Sequence, residues 1–315
     1  MPSPDEHAPE IERPPLIVIL GPTAVGKTAL SLDLAERFGG EIVGADSRQI
    51  YRGMDIGTAK PNAEEQARVR HHLIDVQPPD RHIALATYQQ MAFNAIDAIH
   101  GRRRVPFLVG GSALYLRAVI EGLRIPEVAP DPALRAELAT FAHENGRPAL
   151  HARLQQLDPT EAARIHPHNQ RRVIRALEIV QTTGRKKSDL EAAAPPPYRI
   201  LKIGLDLPRP LLHKRIDQRV LDMIDAGLVE EMASLQSAGY SANLPALSSL
   251  GYQEIATYLR GQMTLAAAVE RIQNETHRFV RHQYTWFRRL PNIHWFDTTE
   301  DSQPAIQKLV AGFLG

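Results

Sequence analysis

A parallel α/β sheet flanked by helices, with an all-helical insertion domain, is the fold class this sequence predicts, and three observations carry it. Apolar strand-like runs at 15–20, 41–45, 72–76 and 105–109 alternate with helical patterns at 28–38, 62–71 and 84–100, the rhythm of repeated βαβ units. The first run feeds into Gly21-Pro22-Thr23-Ala24-Val25-Gly26-Lys27-Thr28, which fits G-x-x-x-x-G-K-[ST] at every fixed position. From about 131 to 190 the signals are purely helical.

The elements follow in order. Pro15–Leu20 (PLIVIL) is a short continuous apolar run, the mark of a buried strand. The loop that ends it aims backbone N–H groups of Pro22–Gly26 at one point, and the next helix adds the positive end of its dipole. Lys27 reaches a terminal phosphate there, and the Thr28 hydroxyl completes the shell of a Mg²⁺ ion. The fold is thus P-loop nucleoside-triphosphate-hydrolase-like, and the chain is expected to bind a polyphosphate. A chance glycine turn carrying a lysine would not bring strand, loop and helix into register.

Glu41–Ala45 forms the second strand and ends in Asp46, followed by the polar segment Ser47-Arg48-Gln49-Ile50-Tyr51. That arrangement suits a carboxylate facing a bound substrate better than one holding a metal. The third run, His72–Val76, is short and contains Asp75, a weak candidate for a metal-side acid. Val105–Val109 runs into Gly110-Gly111-Ser112 with no acid at its tip, where a nucleotide hydrolase or kinase usually carries one. A helix at Ala113–Glu121 then leads into a proline-marked segment.

Asp131 and Asp158 each precede proline, the signature of a capped helix start, and Gly184 closes a helix that begins at Asn169. The Ala-Ala-Ala-Pro-Pro-Pro run at 192–197 reads as a linker, Tyr198–Leu207 as a strand rejoining the sheet, and Pro208–Ala226 as a long helix. The expected organisation is a disordered tail at 1–14, a catalytic core of 15–123 and 197–315, and a helical insertion at 124–196. No internal repeat is visible.

Composition narrows the functions. With 315 residues and 43% hydrophobic content, the chain can build one large domain with an insertion. Lys+Arg 37 against Asp+Glu 36 excludes a uniformly basic coat but leaves room for a local basic patch. The absence of cysteine removes disulfides, thiolate metal sites and cysteine nucleophiles, and it fits a reducing compartment. The opening residues are polar and proline-rich without an apolar signal core, and no later run approaches membrane-spanning length. A cytoplasmic monomer without membrane contact is the expectation.

Three segments suggest RNA. His168–Arg175 opens a helix with Gln170 and Arg171 in its first turn and Val173, Ile174 and Leu177 on a buried stripe. Arginines at a helix start oppose its dipole, a cost that an anionic partner offsets; a solvated face is the bland alternative. Arg271–Leu290 interleaves Arg271, Arg278, Arg281, Arg288 and Arg289 with Phe279, Tyr284, Trp286 and Phe287. Phosphates and splayed bases favour that mixture, but rings at helical spacing are taken as mainly core, with the arginines as phosphate contacts. Ser248–Gln253, holding Leu250, Gly251 and Tyr252, is a glycine turn entering a helix and is a weak signal alone.

Together these segments resemble the tRNA dimethylallyltransferase (isopentenyltransferase) family. The matching strings are GPTAVGKT at 21–28, ADSRQIYRGMDIGTAKP at 45–61, HHLIDV at 71–76, FLVGGSALY at 107–115 and LDPTEAARIHPHNQRRVIRALEIVQTTGR at 157–185. GLDLPR at 204–209, GLVEEM at 227–232 and RHQYTWFRR at 281–289 continue the series in order. The resemblance implies transfer of a dimethylallyl group from dimethylallyl diphosphate to N6 of the adenine 3′-adjacent to the anticodon, in tRNAs reading codons that begin with U.

On that resemblance Asp46 is the general base, and Gly21 to Thr28 hold the diphosphate with Mg²⁺ at Thr28. Thr23 bonds the bridging oxygen, and Arg219 is the cation at that oxygen, with Arg215 four residues earlier as the alternative. Asp46, Ser47, Arg48, Gln49 and Ser112 meet the flipped adenine and its neighbours. Gln170, Arg171, Arg172, Val173, Ile174 and Arg175 clamp the anticodon stem-loop, and Leu250, Gly251, Tyr252, Arg278 and Arg281 add further RNA contacts. Ser112 replaces a common threonine, His277 a usual arginine, and Arg281-His282-Gln283 a commoner Lys-Arg-Gln. The histidines weaken fixed charge and make binding more sensitive to pH. Three rivals stay in view: prenylation of free adenine nucleotides, a small-metabolite kinase, and an RNA-binding module without turnover.

Overall fold

A computed structural model of the chain describes residues 13–190, 194 and 196–315. The tail expected at 1–14 lies outside the described residues up to position 12, as do positions 192, 193 and 195 of the expected linker. The chain divides into two compact units, one running to Leu116 and resuming at Pro197–Gly315, the other spanning Arg117–Pro196.

The first unit opens with β1 (Pro15–Leu20), α1 (Lys27–Arg37), β2 (Gly40–Gly44), α2 (Ala63–Arg68), β3 (His71–His72), α3 (Leu85–Gly101) and β4 (Val105–Gly110). Helix α4 (Ala113–Ile120) contains the point of division. The second unit holds α5 (Pro132–Asn145), α6 (Arg147–Leu157), α7 (Pro159–Arg164), α8 (Gln170–Thr183) and α9 (Lys187–Leu190). The first unit then resumes with β5 (Arg199–Asp206), α10 (Arg209–Asp225), α11 (Leu228–Ser237), α12 (Tyr252–Leu259), α13 (Leu265–Phe287), β6 (Ile293–Asp297) and α14 (Gln303–Leu314).

The strands form one parallel sheet in the order β3-β2-β4-β1-β5-β6. β1 lies inside it, between β4 and β5, and Leu16, Ile17, Val18, Ile19 and Leu20 are fully buried. Burying each such side chain contributes roughly 1.5–3 kcal/mol, so β1 is a firm base for the loop that leaves its end. From β1 the chain winds outward to β2 and β3, returns to β4, and then crosses to β5 on the other side. The crevice at the carboxyl ends of β1 and β4 is therefore the topological switch point, where ligands bind in folds of this kind.

The tips of β2 and β4 are pressed together there. A Cβ added at Gly110 would lie 2.1 Å from the Ala45 carbonyl oxygen, so only glycine lets the strands meet. Helices cover the sheet through a core that includes Ile17, Ile19, Leu34, Phe107, Ile203, Leu212, Ile216 and Val280.

Two strands differ from expectation. The run at 72–76 gives only His71–His72, because Leu73 (φ 64°) and Asp75 (φ 54°) take left-handed conformations that end the strand. β6 (IHWFD) carries no clean apolar period, and as the last strand at the sheet edge it leaves His294 and Trp295 exposed.

In the second unit Asp131 caps α5 by accepting from Ala133 and Leu134 N–H, and Asp158 caps α7 by accepting from Glu161 N–H. Gly184 closes α8 at φ 66°. Leu138, Leu150, Leu154, Val173, Ala176 and Leu177 form its core.

Candidate active site

The phosphate-binding loop leaves β1 at Gly21 and enters α1 with Gly26 as N-cap at φ 106°. Ala24 is held at φ 64°, a conformation that costs an L-residue about 1–2 kcal/mol and turns the loop's amides inward. Val25 is fully buried and contributes backbone only. Pro22 corrects the expectation of donors from every position 22–26: proline has no N–H, and its carbonyl instead accepts from Lys27 Nζ at 2.6 Å. Lys27 Nζ also donates to the Gly21 carbonyl at 3.0 Å, so the ammonium folds back over its own loop. Burial, helped by the Arg219 cation, lowers Lys27 from its ordinary 10.5 to about 7, and the Asp46 carboxylate opposes that shift.

Asp46 follows the tip of β2. Its Oδ1 accepts from Arg48 N–H at 2.8 Å and Gln49 N–H at 3.4 Å, an Asx-type turn that fixes the carboxylate. Oδ2 has no hydrogen-bond partner among the described residues. Ser47 N–H donates to Ser112 Oγ at 3.0 Å and Ser112 N–H to the Ala45 carbonyl at 3.2 Å, lacing the β2 tip to the segment after β4.

Loop, β2 tip and the helices α10 and α13 enclose a cavity of about 380 Å³. Thr23, Asp46, Ser47, Arg48, Ser112 and Arg219 form its polar side, Leu250 and Gly251 another wall, and Ile216, Val220, Met223, Ile272 and Phe279 an apolar side. The cavity thus gathers Thr23, Asp46 and Arg219, which lie far apart in the sequence. Of Arg215 and Arg219 on α10, only Arg219 lines it; Arg215 is exposed. Burial lowers the Arg219 pKa and the Asp46 carboxylate raises it, so the two groups share one field.

Other expected site residues are placed elsewhere. Gln49 turns its Nε2 to the Thr58 and Ala59 carbonyls, at 3.1 and 3.0 Å. Arg278 is exposed and pairs with Glu275. Arg281 lines a separate cavity of about 740 Å³ with Asp206, Arg209, His213, Arg288 and Arg289. In the second unit Gln170, Arg171 and Arg172 stand at the open start of α8, half-buried for the first and exposed for the others.

Four expectations need correction. Val173 and Ile174 are buried in the helical core, where their side chains cannot meet RNA. Arg175 is committed internally, to Glu178 Oε2 at 2.5 Å and the Val128 carbonyl at 2.9 Å. Tyr252 is fully buried and donates its hydroxyl to Glu231 at 2.6 Å. Of the rings taken as core, Phe279 is 43% and Trp286 37% exposed, and Phe279 faces the cavity.

Gln283 is the residue that sequence reasoning passed over. It is buried, accepts from Thr23 N–H at 3.1 Å and donates to the Gly111 carbonyl at 2.9 Å, joining the phosphate-binding loop to the β4 tip. Ile272, Thr276, Phe279 and Gln283 recur at helical spacing on the cavity face of α13. That spacing was the available signal.

No group of three His, Asp or Glu side chains able to hold a metal occurs among the described residues. Asp75 is occupied by Lys60 at 2.5 Å. A divalent ion would rest on the Thr28 hydroxyl and on oxygens brought by the ligand itself, which suits a diphosphate-borne Mg²⁺.

The IPP transferase family matches residues 49–290. The chain belongs to that family. It is 56% identical over 279 residues to the tRNA dimethylallyltransferase of Roseiflexus castenholzii, covering 89% of this chain and 91% of that one. It is 50% identical over 289 residues to the tRNA dimethylallyltransferase of Thermomicrobium roseum, covering 92% and 88%. Among solved structures it is similar to the full-length tRNA isopentenylpyrophosphate transferase of Bacillus halodurans, with TM-score 0.72, 42% identity and coverage of 95% and 96%. A eukaryotic dimethylallyltransferase acting on tRNA superposes with TM-score 0.80 at 26% identity, covering 95% of this chain and 78% of that one. The family and the parallel sheet agree with the fold class read from the sequence.

Proposed function

We propose that this protein transfers the dimethylallyl group of dimethylallyl diphosphate to N6 of the adenine 3′-adjacent to the anticodon, in tRNAs reading UNN codons. The products are N6-isopentenyladenosine and diphosphate. The observation that carries the reading is the single cavity that Thr23, Asp46 and Arg219 share with an apolar wall.

The chemistry follows from that arrangement. The exocyclic amine of adenine is a weak nucleophile, because its lone pair is delocalised into the ring. The allylic C–O bond breaks with its electron pair leaving on the diphosphate, and the N6 lone pair forms the new C–N bond. Asp46 takes the N6 proton that the bond formation releases. Thr23 and Arg219 meet the bridging oxygen, where negative charge grows as the bond loosens, while Lys27 and the loop amides hold the terminal phosphates. The Thr28 hydroxyl would hold a Mg²⁺ ion arriving with the diphosphate, and such an ion would neutralise part of that charge. Ile216, Val220, Met223, Ile272 and Phe279 receive the prenyl chain and keep water from the allylic carbon.

The adenine leaves its stack to enter the cavity beside Ser47, Arg48 and Ser112. The exposed start of α8, with Gln170, Arg171 and Arg172, binds the anticodon stem-loop of the tRNA. We place this activity in the cytoplasm, with the protein acting on tRNA as a monomer; separately, no described helix is long and apolar enough to cross a membrane.

The kinase alternative is disfavoured by the strands that flank β1. β4 ends at Gly110 and runs into Gly111 with no acid at its tip, and Asp206 at the end of β5 is held by the Tyr284 hydroxyl at 2.5 Å and Leu207 N–H at 2.8 Å. The test offers Mg²⁺, dimethylallyl diphosphate and either an unmodified anticodon stem-loop, AMP or ATP, with products read by mass spectrometry. One prenyl unit on the stem-loop alone is the expected result. Prenylated AMP or ATP would move the protein to free-nucleotide chemistry, and no prenyl product with any acceptor would overturn the proposal.

A further inference from the structure

Glu231, on α11, does not line the cavity, yet its carboxylate holds two of the cavity's walls together. Oε2 accepts from the N–H groups of Asp55 and Ile56 at 2.9 and 2.8 Å, and Oε1 accepts from Gly57 N–H at 3.1 Å. Oε1 also accepts from the Tyr252 hydroxyl at 2.6 Å. Three consecutive amides converging on one point form a nest of the kind that captures anions, and here the chain fills it with its own carboxylate.

The first wall is the turn carrying Gly57 and Thr58, both of which line the cavity. The second is Ser248–Gly251, which also lines it and leads directly into Tyr252. The Tyr252 ring lies against Gly57 so closely that an added Cβ there would come within 2.5 Å of Tyr252 Cε2. The turn continues toward the chemistry. The Thr58 and Ala59 carbonyls hold the Gln49 side chain, and the Gln49 and Arg48 amides hold Asp46 Oδ1. Hydrogen bonds joined by short stretches of backbone thus lead from Glu231 to the carboxylate expected to take the N6 proton.

We infer that Glu231 is a positioning residue for the acceptor side of the cavity, an inference that rests on the functional reading above. It fixes the turn at 55–59 and the start of α12, and so sets the slot into which the adenine and its neighbours fit. The donor side does not depend on it: Thr23 is held by Gln283, and Lys27 by the Gly21 and Pro22 carbonyls. Charge-assisted bonds of this type are roughly twice as strong as neutral ones. A glutamine at 231 would keep the shape but turn an amide NH₂ toward backbone donors.

The experiment compares wild type, Glu231→Gln and Tyr252→Phe by steady-state kinetics, varying stem-loop and dimethylallyl diphosphate separately, with a thermal melt of each protein. Glu231→Gln is expected to raise the stem-loop KM about tenfold or more, since a bond to a charged group is lost, and to leave the donor KM unchanged. Tyr252→Phe keeps the ring against Gly57 and loses one bond, so it shifts the stem-loop KM the same way by a smaller factor. A purely structural role would lower the melting temperature and the active fraction while leaving both KM values at wild type, and that result overturns the inference. An equal rise in both KM values overturns it too. Should Glu231→Gln fail to fold, Tyr252→Phe decides alone, and an unchanged stem-loop KM sinks the idea. Wild-type protein without turnover removes the functional reading and this inference with it, whereas wild-type turnover with unmoved variants removes the inference only.

Discussion

In the proposed function, Lys27 is the residue whose electrostatics bear most directly on donor binding. Its ammonium lies among the loop carbonyls and near Arg219, and its pKa of about 7 means that a large share of it is neutral at physiological pH. An arriving diphosphate favours the charged form and raises that pKa, so binding takes up a proton. The sign follows from linkage: the binding contribution is complete below about pH 7 and is lost as pH rises toward the pKa of the liganded state. Donor KM measured from about pH 6 to 9 should stay level at first and then rise by up to about tenfold per unit. A Lys27→Arg variant, whose guanidinium does not titrate in that range, isolates the effect from the diphosphate's own protonation. Identical profiles for the two proteins would contradict the account.

This is also the scale at which the sequence was hardest to read. Lys27 and Asp46 were legible because a loop motif and a strand end announce them, whereas Thr23 and Arg219 came only from the family resemblance. Gln283 was not, since its partners lie 260 and 172 residues away, and the helical spacing it shares with Ile272, Thr276 and Phe279 does not tell a site face from a core face. Glu231, some 175 residues from the turn it holds, escaped notice for the same reason.

Among the elements, α8 shows how one helix divides its duties. Its first turn presents Arg171 and Arg172 to solvent, while Val173, Ile174 and Leu177 form the buried stripe that the sequence period foretold. Glu178, fully buried on the same helix, binds Arg135 through two bonds of 2.8 Å, together with Arg175 and Asp131 N–H. Burial pushes its pKa up, but those partners outweigh burial and bring it from 4.5 to about 2. Its stabilising contribution is therefore present above 4.5 and disappears as pH falls from there to about 2. Glu178→Gln leaves the arginines without their anion and should destabilise the helical unit by about 3 kcal/mol at neutral pH. Hydrogen exchange should show the loss of protection in α5 and α8 and not in β1 and β4. Unchanged exchange in α8 would contradict the role.

Strands at the sheet centre were legible as continuous apolar runs. The sheet edges were not, because β6 mixes polar and aromatic residues and β3 is cut short by left-handed residues that hydropathy cannot register.

At the scale of the whole molecule, the proposed function divides labour around the switch point. In the proposed function the loop after β1 would hold the donor and the tip of β2 would supply the proton acceptor, while α10 and α13 bring Arg219 and an apolar wall to the same cavity. Such an arrangement separates binding of the diphosphate from activation of the amine, and a single substitution can part the two. Asp46→Asn keeps the side-chain oxygen that accepts from Arg48 and Gln49 but cannot take a proton. The most direct test measures donor affinity and single-turnover prenyl transfer to the stem-loop in wild type and Asp46→Asn, with products identified by mass spectrometry. The expected result is that the donor still binds, its affinity shifted only by the loss of the Asp46 charge beside Lys27 and Arg219, while the transfer rate falls by about 10²- to 10⁴-fold. Transfer at the wild-type rate in Asp46→Asn would contradict it and return the cavity to a binding role or to another base.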